Sequence, residues 1–342
     1  MSNQALYRKY RPERFEDIRG QEHVTNVLAS ALESNDVSHA YLFAGKRGTG
    51  KTSVARILAK ELGCGERDMY EMDAASNRRI ADVRELREAV RSLPYDADYK
   101  VYIIDEVHML TTQAFNALLK TLEEPPEHAI FILATTEPDQ LPDTVISRCE
   151  VHNFKQPRQE MLAEMATDIV ENEEYEITQP AAELLGLIGD GSFRDTLGAL
   201  QKVIRSADTK EITTEVVQAV TGAPKSGVVN AVLQAIAKED VEAGLKVLRK
   251  AVANNIDMAL LMELLLRRIR MVLLLRHAPD MQSDIQASTS EDDFQLLQQL
   301  ANESAAITSR TLKRLLEAYN SQDHASLPQM PLEVALMDLA GE

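Results

Sequence analysis

The sequence predicts an α/β domain, a parallel sheet covered by helices on both faces, followed by two purely helical domains. Three observations carry this. Between Ala40 and Arg148 short apolar runs alternate with helical stretches, the pattern of strands joined by crossover helices. Two of those runs, Tyr102-Ile-Ile-Asp105 and Ile130-Phe-Ile-Leu133, are continuously apolar or nearly so, as expected of central strands buried on both sides. Beyond Pro157 no convincing strand run remains.

The elements follow in order. His39–Ala44 reads as a buried strand, Lys51–Leu62 as a helix, and Met69–Asp73 as a short strand. Ile80–Leu93 is helical, with Ile80, Val83, Leu86 and Val90 at three- and four-residue steps. Val101–Asp105 is a third strand, and Thr112–Leu122 a helix stopped by Pro125-Pro126. Ala129–Thr136 is a fourth strand. Short helices are expected over Gln159–Glu171, Gln179–Ile188, Phe193–Ile204 and Thr214–Val220. The turn-rich stretch Gly222–Gly227 marks a break. After it come helical patterns over Val228–Lys238, Val241–Asn254, Met258–His277, Asp293–Leu300 and Ser309–Asp323. The expected domains are therefore 1–157, 158–222 and 223–342.

Composition narrows the function. The 342 residues carry 37 basic and 54 acidic side chains, a net charge of −17, which excludes a protein held to nucleic acid by bulk positive charge. Any contact with DNA must come from a local basic face. Residues 1–60 are such a region, with ten Lys or Arg against six Asp or Glu. Two cysteines, Cys64 and Cys149, exclude a disulfide framework and a four-thiolate metal site. His23, His39, His108 and His128 have no ligand spacing and read as structural. The most apolar stretch, Met258–Leu275, is broken by Glu263, Arg267, Arg268 and Arg270, so no membrane span is expected. The polar start Met1–Pro12 lacks an apolar leader, and a reducing, cytoplasmic setting is expected.

The strongest chemical signal is Gly45-Lys46-Arg47-Gly48-Thr49-Gly50-Lys51-Thr52, which lies after a strand and opens a helix. Its glycines let backbone N–H groups turn inward around phosphate oxygens, and the helix N-terminus adds partial positive charge. Lys51 can reach the β- and γ-phosphates, and the Thr52 hydroxyl can ligate Mg2+. The strand ending in Asp105-Glu106 supplies a second signal. Asp105 can hold Mg2+ through water, and Glu106 can orient an attacking water, which suits a hydrolase better than a kinase. Five further residues have plain alternatives. Thr136 can hydrogen-bond a γ-phosphate or be an ordinary strand threonine. Arg148, in Ser147-Arg148-Cys149, can reach a phosphate on a neighbouring subunit or be a surface arginine. Arg194, in Gly191–Asp195, can lean over a γ-phosphate or pair with a nearby acid. Arg78 and Arg79, at the turn before a helix, can contact a phosphate backbone or form a solvated turn.

These motifs, in this order, resemble the bacterial replicative clamp-loader ATPases, the gamma/tau subunits of DNA polymerase III, within the AAA+ ATPases. The resemblance begins at Leu6–Val24 and runs through His39–Leu62, Met72–Asn77, Val101–His128 and Phe131–Cys149, ending at Gly191–Leu200. It implies a P-loop AAA+ domain, a small helical lid and an all-α collar that oligomerises. It further implies that Gly45–Thr52 is the Walker A loop, that Asp105 and Glu106 are the Walker B acids, and that Thr136 and Arg194 sense nucleotide. Arg148 would be the arginine finger that completes an adjacent subunit's site. Arg11 and Pro12 would line the adenine side, and Arg78 and Arg79 would face the DNA backbone. The implied ligands are ATP and Mg2+, with Mg2+ at Thr52 and Asp105.

The implied partners are delta- and delta-prime-type subunits, further copies of this chain in a pentamer-like ring, the sliding clamp, and primer–template DNA gripped through its backbone. The setting would be the bacterial cytoplasm near the nucleoid, with no membrane. Two departures stand out. The family usually inserts a four-cysteine zinc module after the Walker A helix, but here Cys64 is followed by Gly65-Glu66-Arg67-Asp68 and the next strand, so no zinc is expected. The sequence also stops after the collar, so the extra domains of the long tau form are not expected in it. Three rival readings are another AAA+ DNA motor such as a Holliday-junction helicase, a scaffold that binds ATP without hydrolysing it, and a small-molecule P-loop kinase.

Overall fold

In the computed structural model, residues 4–77, 80–287, 289, 291–322 and 325–340 are described. The chain divides into two compact units, Met1–Thr213 and Thr214–Glu342. The first holds α1 (Leu6–Lys9), α2 (Glu22–Glu33), β1 (Ala40–Ala44), α3 (Lys51–Glu61), β2 (Met69–Asp73), α4 (Ile80–Val90), β3 (Lys100–Asp105), α5 (Thr112–Glu123), β4 (Ala129–Thr135), α6 (Asp143–Ile146) and β5 (Glu150–Asn153). It continues with α7 (Gln159–Asn172), β6 (Glu176–Ile177), α8 (Gln179–Ile188), α9 (Phe193–Ser206) and β7 (Glu211–Ile212).

The five main strands are all parallel, in the order β2-β3-β4-β1-β5. Side chains alternate between the two faces of a strand, and here both faces are covered. Leu42, Tyr102, Ile104, Phe131 and Leu133 pack with Leu86 of α4 and Phe115 and Leu118 of α5. Their neighbours Tyr41, Phe43, Val101, Ile103, Ile130 and Ile132 pack on the opposite side with Val24 and Leu28 of α2 and Val54, Ile57 and Leu58 of α3. Each such large apolar side chain, fully buried, is worth about 1.5–3 kcal/mol relative to exposure. The expected α/β sheet is thus present, with β1 to β4 where the apolar runs put them.

Several details differ from the sequence reading. The helix expected to Leu93 ends at Val90, because Pro94 disfavours helical backbone at the residue before it. A fifth strand, β5, borders β1, with Tyr41 opposite Glu150. It is an edge strand of four residues, Glu-Val-His-Asn, of which only His152 is buried. The region after Pro157 contains one small ladder after all, in which Glu176 and Ile177 pair in parallel with Glu211 and Ile212.

Helices α7, α8 and α9 bury Leu162, Ala166, Leu185, Leu200 and Val203 among themselves. The N-terminal segment is fastened to them. Glu173, just past α7, accepts hydrogen bonds from Lys9 Nζ (2.5 Å) and Tyr10 OH (2.6 Å), and Arg19 pairs with Asp168 at 2.7 Å.

The second unit is all helix: α10 (Thr214–Thr221), α11 (Ser226–Ala237), α12 (Val241–Ala253), α13 (Met258–His277), α14 (Gln282–Ala287), α15 (Glu291–Glu303), α16 (Ser309–Asn320) and α17 (Met330–Ala340). Its core centres on α13, whose Leu261, Leu265, Ile269 and Val272 recur at three- and four-residue spacing. Among the described residues no helix is long and apolar enough to cross a membrane.

Candidate functional site

The carboxyl ends of parallel strands are where open α/β sheets bind ligands. Here β1 runs into the glycine loop, β3 into Asp105-Glu106 and β4 into Thr135-Thr136. Because β4 lies between β1 and β3, the three strand ends converge. Gly45 N–H donates to Thr135 O at 3.1 Å, tying the start of the loop to β4. A cavity of about 730 Å3 opens there, lined in part by Gly48 to Ser53, Asp105, Glu106, Arg11, Pro12 and Arg194. Its apolar wall is Tyr7, Ile18, Met165, Ile169 and Leu197.

The loop is held from several sides. Lys51 is buried, and its Nζ donates to Gly45 O (2.6 Å) and Lys46 O (2.9 Å). Burial pulls its pKa down, opposed by Glu106 and Asp105. Gly48 has a φ of 74° and packs so tightly that an added Cβ would lie 2.0 Å from Ser192 Oγ. Its carbonyl accepts a 3.0 Å hydrogen bond from Phe193 N–H, the first residue of α9. Gln21, fully buried, bonds Lys155 in both directions, Nε2 to Lys155 O at 2.7 Å and Lys155 N to Oε1 at 3.0 Å.

The acids form a connected set. Thr52 Oγ1 donates to Asp105 Oδ2 at 2.8 Å. Burial raises the Asp105 pKa, and the Thr52 hydrogen bond works against that rise. Glu106 adopts a left-handed φ of 49°, a strained position for a side-chain-bearing residue. Its Oε2 accepts from Thr136 Oγ1 at 2.9 Å. His108 is nearby, with Nδ1 3.0 Å from Thr135 Oγ1 and 3.5 Å from Glu106 Oε2. A hydroxyl and a carboxylate in direct contact are an oxygen donor set suited to a hard divalent cation that keeps part of its water shell.

Positive charge gathers across the cavity. Burial lowers the pKa of Arg11, and the neighbouring charges of Arg56, Arg194 and Arg8 push it the same way, only partly offset by Glu71. The Arg194 guanidinium lies over the Tyr7 ring, 5.1 Å from its centroid. A polyanion entering this cavity would relieve that like-charge crowding.

Of the residues singled out in the sequence, Lys51, Thr52, Asp105, Glu106, Thr136, Arg11, Pro12 and Arg194 therefore fall on or beside one cavity. Arg148 is not among its lining residues. It sits past α6, where Nη2 donates to Glu123 at 2.8 Å and Nη1 to Thr144 O at 2.6 Å. Arg78 and Arg79 lie outside the described residues. Cys64 and Cys149 are inert thiols, each pushed up to about 11 by burial. Tyr7, Gln21, His108 and Ser192 were missed as site residues. Their roles come from contacts across the fold, although all four lie in stretches that resemble the family: Tyr7 and Gln21 in Leu6–Val24, His108 in Val101–His128 and Ser192 in Gly191–Leu200.

Two family models match the chain: DNA polymerase III, delta subunit, over residues 20–82 and 72–158, and DNA polymerase III subunits gamma and tau domain III over 212–341. The second match covers the helical region for which the sequence reading had only length and helical character. The chain is 37% identical over 366 aligned residues to the DNA polymerase III subunit tau of Bacillus subtilis, covering 99% of this chain and 63% of that one. It is 41% identical to the tau subunit of Escherichia coli, covering 80% of this chain and 46% of that one. With the gamma/tau subunit of Mycobacterium tuberculosis the identity is 35%, covering 96% and 61%. The chain thus spans 46% to 63% of the length of these relatives. Among solved structures, the Thermotoga maritima RuvB Holliday junction branch migration motor superposes with a TM-score of 0.54 at 23% identity, covering 66% of this chain and 79% of that one, a likeness of fold alone.

Proposed function

Because this chain belongs to the gamma and tau subunit family of DNA polymerase III, we propose that it is an ATP-driven motor subunit of a replicative clamp loader. The observation that carries this reading is the single cavity that brings the glycine loop, the Asp105-Glu106 pair and Arg194 together. ATP would lie with its phosphates along Gly45–Thr52 and its base toward Tyr7, Ile18 and Leu197, near Arg11 and Pro12. Lys51 would exchange its two backbone carbonyl partners for β- and γ-phosphate oxygens. Thr52 and Asp105 would hold Mg2+, which neutralises phosphate charge and orients the γ-phosphoryl group. Glu106, held by the Thr136 hydroxyl, would orient and deprotonate the attacking water.

Arg194 would leave the Tyr7 ring for the γ-phosphate, drawing α9 with it and so coupling helices α7 to α9 to nucleotide state. Arg148 would complete the site of an adjoining subunit in a ring containing delta- and delta-prime-type partners, with the helices of 223–342 forming the collar. ATP-bound rings would open the sliding clamp and grip primer–template DNA by its backbone in the cytoplasm. Hydrolysis would then release the clamp. A supplied arginine changes phosphoryl-transfer rates by roughly 10³–10⁵, so the isolated chain should turn ATP over very slowly. The test is phosphate release by the chain mixed with clamp, partner subunits and primed DNA. Turnover that rises only with all components present supports the reading, and strand displacement or branch migration without a clamp would replace it by a helicase.

A further inference from the structure

Arg148 is not a loose surface arginine. Its side chain is one-third exposed, at 33%. Nη2 donates to Glu123 Oε1 at 2.8 Å and Nη1 to Thr144 O at 2.6 Å. Glu123 is the last residue of α5. A helix carries partial negative charge at its C-terminus, so a carboxylate there is unfavourable unless a cation answers it. The same pocket of negative potential, made by the helix end, the Glu123 carboxylate and the Thr144 carbonyl, is what a guanidinium prefers. The pair is too exposed to contribute much to folding, since ion pairs of this kind add little to stability. A guanidinium has five N–H donors in a rigid fork. Nη1 also lies 3.4 Å from Ser147 Oγ, so both terminal nitrogens are engaged, while Nε–H and the second Nη2–H are left for a further acceptor.

We propose that Glu123 is a positioning residue for Arg148. It holds the guanidinium from behind in one rotamer, so that the remaining donors are already aimed outward when an adjoining subunit's nucleotide arrives. This inference rests on the reading of Arg148 as a group supplied across a subunit seam. Without Glu123 the long side chain would have to be ordered at each encounter. That ordering would slow the chemical step without weakening ATP binding in the subunit's own cavity.

The experiment compares Glu123→Ala, Glu123→Gln, Arg148→Ala and the double variant Glu123→Ala/Arg148→Ala, each as the full chain. It measures thermal melting and binding of a fluorescent ATP analogue for the isolated chain, then steady-state ATP turnover in the mixture with partner subunits, clamp and primed DNA. The expected result is unchanged melting and unchanged analogue binding. Stimulated kcat should fall roughly three- to thirty-fold for Glu123→Ala, the range set by ordering one long side chain. Glu123→Gln keeps an acceptor oxygen for Nη2 and should fall less. The double variant should match Arg148→Ala, because Glu123 has nothing to position once the arginine is gone. Wild-type turnover by Glu123→Ala, or a double variant lowered by the product of the two single effects, overturns the inference and leaves the role of Arg148 standing. Full stimulated turnover by Arg148→Ala overturns the role of Arg148 itself, and the inference with it.

Discussion

Replacing Gly48 by alanine would drive the phosphate loop against the helices that follow Pro157. The added Cβ would sit 2.0 Å from Ser192 Oγ and 3.0 Å from Ser192 Cβ. Rotating the hydroxyl away relieves the first contact but not the second. It also removes the N-cap of α9, because Ser192 Oγ accepts from Asp195 N–H at 3.2 Å. A lost cap costs about 0.5–2 kcal/mol. The left-handed backbone at φ 74° adds the steric penalty of a side chain there, about 1–2 kcal/mol. Together these come to about 1.5–4 kcal/mol, a melting temperature lowered by about 3–16 °C for a unit of this size. Thermal melting followed by circular dichroism measures the loss, and a fluorescent ATP analogue measures the accompanying fall in affinity. Ser192→Gly clears the collision while keeping much of the cap preference. The double variant Gly48→Ala/Ser192→Gly should therefore recover the part of the loss due to contact and retain the part due to φ. A Gly48→Ala protein with unchanged melting, or a double variant no better than the single, would refute the close packing of α9 on the loop.

Three other outcomes follow from the same geometry. Lys51→Ala should lower affinity for ATP about 10- to 100-fold, the worth of a charge-assisted hydrogen bond to phosphate, as read by calorimetry. Glu106→Gln should bind nucleotide normally and lose about 10²–10⁴ in stimulated turnover in a phosphate-release assay. Asp105 gives a pH-dependent result. Burial raises its carboxyl pKa in the folded chain, so the folded state takes up that proton before the unfolded state does as pH falls. The ionised carboxylate therefore destabilises the nucleotide-free fold at neutral pH, and the penalty fades as pH drops through the raised folded value. Asp105→Asn should accordingly melt higher at pH 7 without nucleotide, lose that advantage in acid, and forfeit Mg2+-dependent stabilisation by ATP.

The parts of the molecule legible in the sequence were those whose physics is local. Strands β1, β3 and β4 are buried on both faces, so every residue of Ala40–Ala44 and Ala129–Thr135 had to be apolar, small or, in Thr135, hydrogen-bonded. The phosphate loop was legible because backbone turns around phosphate demand glycine at fixed spacing. Edge strand β5 was not, since Glu150–Asn153 has one dry residue and no run to detect. Helix α2 was overlooked although Val24, Leu28 and Leu32, at four-residue steps, carry a helical signal. The missed site residues share a reason. Gln21 reaches Lys155, Ser192 meets Gly48, Tyr7 lies under Arg194 and Glu123 holds Arg148, all of them pairings between segments distant in the chain. Periodicity and short motifs carry no information about such pairs.

The central claim is that one chain supplies the phosphate cradle and its neighbour supplies the cation. Mixing Glu106→Gln chains, which keep Arg148, with Arg148→Ala chains, which keep Glu106, tests it directly in the presence of partner subunits, clamp and primed DNA. Neither variant alone should turn over ATP, and rings assembled from both should recover activity at the seams where an intact cradle faces an intact arginine. Mixed rings as inactive as either variant by itself would contradict the account.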